Sequence, residues 1–172
     1  MSEIDRLVLN NQFHGRGFRG LTGPNAPRVA IVTCMDARID VFRTFGLQEG
    51  EAHVIRNAGG IVTDDVIRSL LLSQRLLGTR EVMLVHHTEC AMLKFTDEQL
   101  KRTIAADASA VPPFPLGAFG DLREDVLRSI AQVRSSPFLP HRDEVRGFIY
   151  DVGSRGVSEV REPTQRRSWA SS

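Results

Sequence analysis

The chain has 172 residues with a formal net charge of +1, and 41% of its side chains are hydrophobic and 25% charged. That is enough for one hydrophobic core and too little for two, and the scattered charge offers no field to attract nucleic acid or an anionic membrane surface. No apolar run approaches the roughly 20 residues of a membrane helix, and Met1-Ser2-Glu3-Ile4-Asp5 opens too acidic for a signal peptide, so the expectation is a cytoplasmic protein that crosses no membrane.

Residues 1–27 form an N-terminal arm. Leu7, Leu9, Phe13 and Phe18 are scattered among Asn10, Asn11, Gly15, Gly17, Gly20 and Pro24, a pattern suited to lying against something, such as a neighbouring subunit. A single α/β domain, 28–161, follows. Its first strand runs from Arg28 to Thr33 and empties into a loop, Cys34 to Asp40. Val41 to Phe45 reads as a short helix stopped by Gly46, and Ala52 to Arg56 as a second strand ending in Asn57-Ala58-Gly59-Gly60.

Thr63 is placed to cap a helix whose first turn carries Asp64 and Asp65, where negative charge suits the helix dipole. Val66, Ile67, Leu70, Leu71 and Leu77 recur at helical spacing, and Gly78 closes the helix before a strand from Glu81 to His87. This alternation predicts a mostly parallel central β-sheet flanked by α-helices, with the working loops at the strands' carboxyl ends. Thr96-Asp97-Glu98 opens a helix to about Ala106. The proline-rich stretch from Pro112 to Gly117 is a plain surface loop, and Leu122, Val126, Ile130 and Val133 mark another helix from Asp121 to Ser135. Val145 to Asp151 is a strand, Gly153-Ser154-Arg155-Gly156 turns it, Val157 to Val160 is an edge segment, and 162–172 is expected to be a disordered tail.

The chemistry gathers at two strand ends. Cys34 ends the first, and the strand from Val82 to Val85 runs into His86-His87-Thr88-Glu89-Cys90, which holds the chain's other cysteine. If these strands are neighbours, Cys34, His87 and Cys90 meet, and two thiolates with one imidazole suit zinc and leave a fourth position open. Asp36 and Arg38 sit beside the first ligand, near enough for the carboxylate to compete for that position and for the guanidinium to hold it away. Strand alternation points His86 to the opposite face, as a structural histidine. Gly59 and Gly60 are packing glycines first and lining of a substrate pocket second; Thr88 and Glu89 are connectors. His14, His53 and His141 show no partner pattern.

Cys-x-Asp-x-Arg at one strand end and His-x-x-Cys at a later one, with Arg56-Asn57-Ala58-Gly59 between them, resembles the β-class carbonic anhydrases of the small prokaryotic type over residues 28 to 160. The resemblance implies one Zn2+ per subunit on Cys34, His87 and Cys90, a dyad of Asp36 and Arg38, reversible hydration of CO2 to bicarbonate by zinc-bound hydroxide, and a homodimer or larger assembly of dimers. The family's usual glycine after the second cysteine is Ala91 here. With two thiolates already neutralising the ion, activity is expected to favour alkaline pH. Relatives on the same scaffold that hydrolyse carbonyl sulfide or carbon disulfide supply an alternative substrate. A non-catalytic zinc module would be expected to supply a fourth Cys or His nearby, and here only His86, which points the other way, is at hand; a redox pair of Cys34 and Cys90 would leave His87, Asp36 and Arg38 without a task.

Overall fold

Runs of β-branched residues alternate along the chain with stretches of helical period, and each apolar face finds its partner across a central sheet. The computed structural model describes residues 28–161; the expected arm, 1–27, and tail, 162–172, lie outside the described residues. Five strands, β1 (Val29–Cys34), β2 (Ala52–Asn57), β3 (Glu81–His87), β4 (Val145–Tyr150) and β5 (Val157–Val160), are ordered β2-β1-β3-β4-β5. The first four are parallel and β5 runs antiparallel along β4. β1 is displaced by one residue from its expected bounds: pairing of Cys34 with Asn57 keeps the cysteine inside the strand as its last residue.

The helices are α1 (Val41–Phe45), α2 (Asp64–Leu77), α3 (Asp97–Ala108) and α4 (Leu122–Ser135), with 3-10 turns at Ala58–Gly60 and Ala91–Leu93. Their starts are set by side chains that satisfy free backbone N–H groups. Thr63 accepts from the Val66 amide at 3.3 Å, Asp121 from Glu124 at 2.8 Å, and Thr96 and Gln99 cap one another reciprocally at the start of α3. Gly78 closes α2 in the left-handed conformation.

One face of the sheet, with Ala30, Val32, Val82, Leu84 and Val145, packs on Val66 and Leu70 of α2 and on Val126, Ile130 and Val133 of α4. Helix α4 comes close to β4 because Gly147 has no side chain; a Cβ there would stand 2.3 Å from Val126 Cγ1. The other face gathers Ile31, Val85, Tyr150, Ile39, Val41, Met92 and Phe119 with both cysteines. The helical stripe of α2 is shorter than its spacing implies. Leu77 is half exposed and Leu76 largely so, in the last turn of the helix before Gly78 ends it. Among the described residues no helix is long and apolar enough to cross a membrane.

Candidate metal centre

β1 and β3 are neighbours in parallel register, so their carboxyl ends lie side by side. Cys34 is the last residue of β1, His87 the last of β3, and Cys90 follows after the Thr88-Glu89 turn. All three are buried, and one ligand atom from each, the two Sγ atoms and an imidazole nitrogen, lie within 4.8 Å of one another. His87 Nδ1 donates to the Thr88 carbonyl at 2.8 Å, which selects the tautomer whose Nε2 carries the free lone pair. That Nε2 is buried and has no hydrogen-bond partner. A buried unpartnered nitrogen beside two thiols is the donor set zinc takes, and the residues therefore fit the ion.

The Cys90 thiol donates to Cys34 and holds it down to about 4 against the cost of burial, helped by His87 and by the backbone amides of Asp36 and Gly59. The same bond, together with burial, pushes Cys90 upward. Burial opposes charge on His87, but the Cys34 thiolate, the Thr88 carbonyl and Asp36 outweigh it and raise the imidazole above its ordinary value.

Beside this cluster Arg38 grips Asp36 with a fork: Nε to Oδ1 at 3.0 Å and Nη2 to Oδ2 at 2.8 Å, while the Arg38 amide adds a third bond to Oδ1 at 2.9 Å. The guanidinium holds the carboxylate well below its usual range. Asp36 Oδ2 stands 3.9 Å from His87 Nε2, adjacent to the ligand cluster and turned to Arg38. Gly60 has φ +70°, and a Cβ there would stand 2.8 Å from the backbone nitrogen of Cys34, so only glycine lets this turn lie on the ligand's main chain. Gly59, at φ +83°, is hemmed by Met92, Ile61 and Phe119 and turns its amide to the Cys34 sulfur. Ala91 has no positive φ and opens a 3-10 turn, so the extra methyl is accommodated.

His86 points to the opposite face. Its Nε2 donates to Asp125 Oδ2 of α4 at 2.6 Å, both groups are buried, and Arg128 pairs with the other carboxylate oxygen. Asp125 is a residue that sequence reading missed, although a carboxylate on the apolar stripe of α4 is a usable signal. Arg56, two strands away from the cluster's histidine, ties down the first ligand loop. It bonds the Cys34 carbonyl at 3.0 Å and the Asp36 carbonyl at 2.7 Å, bracing the loop between them. Thr88 and Glu89 are more than connectors: Thr88 Oγ1 accepts from the Val152 amide, and Glu89 meets Arg38. The proline-rich loop is irregular but tethered, because the Asp97 carboxylate accepts from the Leu116, Gly117 and Ala118 amides. His53 Nδ1 lies 2.7 Å from Ser73 Oγ.

A mostly parallel α/β sheet that presents Cys, His and Cys at adjoining strand ends defines a metal-binding class of protein whose chain supplies three donors. The chain belongs to the β-carbonic anhydrase family. The family model described as carbonic anhydrase matches residues 29–111. β-Carbonic anhydrase 1 of Mycobacterium tuberculosis is 48% identical over 161 residues, which cover 93% of this chain and 99% of that protein. The crystal structure of carbonic anhydrase from Streptococcus mutans superposes with a TM-score of 0.87 at 40% identity, covering 94% of this chain and 99% of that one. A carbon disulfide hydrolase from Acidianus is 32% identical and covers 95% of this chain and 88% of its own length.

Proposed function

We propose that the protein is a zinc-dependent carbonic anhydrase that hydrates CO2 reversibly to bicarbonate and a proton, with the metal held by Cys34, His87 and Cys90. The observation that carries this reading is the buried, unpartnered Nε2 of His87 beside two thiols and a forked Asp36–Arg38 pair. Zinc, when bound, supplies a Lewis acid that makes water at the open position acidic enough to serve as the nucleophile. Asp36, kept ionised by Arg38, accepts the hydrogen of the attacking oxygen and turns its lone pair toward the carbon of CO2. Arg38 holds the carboxylate in that place and away from the ligand cluster. Arg56 and Gly60 keep the Cys34 backbone where its sulfur meets His87 and Cys90.

The test is stopped-flow CO2 hydration by zinc-loaded protein, run beside sulfide release from carbon disulfide and carbonyl sulfide. Rapid proton release from CO2 with little sulfide supports the proposal; dominant sulfide release moves the assignment to the hydrolase reading, which the Acidianus relative favours. The higher identity of the carbonic anhydrase relatives favours CO2.

The working species is proposed to be a homodimer or an assembly of dimers. Leu72, Leu76 and Leu77 along α2 leave apolar surface exposed, and they support this reading. Sedimentation that shows only a monomer at micromolar concentration would refute it. A cytoplasmic location is proposed as well, supported by two cysteines that are free thiols, and the unit that works is taken to be the single domain 28–161.

A further inference from the structure

Glu89 lies between two ligand residues and takes no part in the roles above. Its φ is +59°, in the left-handed region that a residue with a Cβ enters only at a cost. Its carboxylate Oε2 accepts from Arg38 Nη1 at 2.8 Å, and its carbonyl lies 3.4 Å from Arg38 Nη2. The guanidinium therefore spans two carboxylates, with Nε and Nη2 on Asp36 and Nη1 on Glu89.

The geography gives that second contact its meaning. Asp36 and Arg38 ride on the same loop after β1, so their mutual fork cannot fix where the pair stands relative to His87 and Cys90. Glu89 belongs to the Thr88-Glu89 turn after β3, which lies between those two residues in the chain. We propose that Glu89 is a positioning residue: by pinning Arg38 from the second ligand turn, it sets where Arg38 holds Asp36 beside the Cys34–His87–Cys90 cluster. This rests on the reading of Asp36 given above. The Arg38 and Glu89 side chains are 45% and 66% exposed, so the contact adds little to fold stability and its effect falls on orientation.

Two substitutions test it. Glu89→Gln keeps the shape and removes the charge; Glu89→Gly removes the anchor and also relaxes the left-handed backbone. In zinc-loaded protein we expect kcat for CO2 hydration to fall about two- to fivefold in both, with KM unchanged. Glu89→Asp should recover part of the loss. Zinc content stays at one per chain, and thermal stability of Glu89→Gly matches or exceeds that of the parent. A purely structural role gives the opposite for Glu89→Gly, a relaxed turn with kcat intact.

An independent readout is the 15N–1H resonance of Arg38 Nε, assigned by its loss in Arg38→Lys. It should be sharp and slow to exchange in the parent, and broadened in both Glu89 variants. Unchanged kcat in both variants overturns the proposal whether or not the resonance moves. A fall in kcat with an unaltered resonance overturns it as well, because Glu89 would then act by another route. If the parent fails to hydrate CO2, the functional reading fails, and the resonance alone decides whether Glu89 pins Arg38.

Discussion

His86 and His87 are consecutive and both fully buried, yet their surroundings make them opposites. Strand alternation sends one ring to α4 and the other to the ligand cluster. On the α4 side, burial pushes His86 down to about 4, and the neutral ring spends its Nε2 proton on Asp125. On the ligand side, burial again opposes charge, but the Cys34 sulfur, the Thr88 carbonyl and Asp36 outweigh it and raise His87, whose buried Nε2 meets no hydrogen-bond partner. Equal burial thus gives one histidine that ties a helix to the sheet and one whose nitrogen faces two thiols. What differs is which atoms each ring meets.

The largest expected effect tests this division directly. His87→Ala should abolish stoichiometric zinc and lower CO2 hydration by more than about a hundredfold, since loss of a ligand exceeds the 10–100-fold typical of its supporting partners. His86→Leu should keep one zinc per chain. Metal analysis of both proteins decides it, and a folded His86→Leu protein without zinc would break the contrast.

Asp125→Ala comes next. It strands the His86 N–H in the core and should cost about 2–3 kcal/mol in urea denaturation, while activity per bound zinc stays within about twofold. Arg38→Ala, on the ligand side, should do the reverse. Stability of an exposed pair changes little, whereas freeing Asp36 to turn toward the metal should lower CO2 hydration by about tenfold or more with zinc retained.

The smallest effect is a slope. The folded-state value of His86 lies near 4, below the ordinary 6.5, so the unfolded chain takes up its proton first as the medium is acidified. Its contribution to stability is therefore full above about pH 6.5 and is lost progressively toward pH 4, on the order of 1 kcal/mol per pH unit. Urea midpoints across that window should fall for the parent and flatten for His86→Leu. His87, whose value is raised, must give up its proton to bind metal, so acid should weaken zinc retention in a chelator competition even where the fold persists.

The elements that were legible in advance are those with strong local signals. The bounds of α1, β3 and β5 coincide with their sequence expectations, and Thr63, Gly46 and Gly78 stop or start helices as their chemistry requires. Sequence also marked the three ligand candidates, because each stands at or just past the end of an apolar β-branched run. The residues that were not legible act over long separations: Glu89 reaches Arg38 across 51 positions and Asp125 reaches His86 across 39. Nothing in the spacing of such pairs is periodic. Helical spacing puts Leu77 in line with Val66 and Leu70, but spacing alone does not say that the first two are buried and Leu77 half exposed.

Local chain chemistry by itself determined the alternation of strands and helices, the caps, and the set of residue types able to hold zinc, because propensity, period and side-chain donors are properties of short segments. Tertiary structure alone decided that β1 and β3 are neighbours, that a guanidinium is shared between two ligand turns, and that adjacent histidines end in unlike surroundings. Those outcomes depend on which segments the core brings together, and burial of apolar surface, which drives that assembly, acts on the whole chain at once.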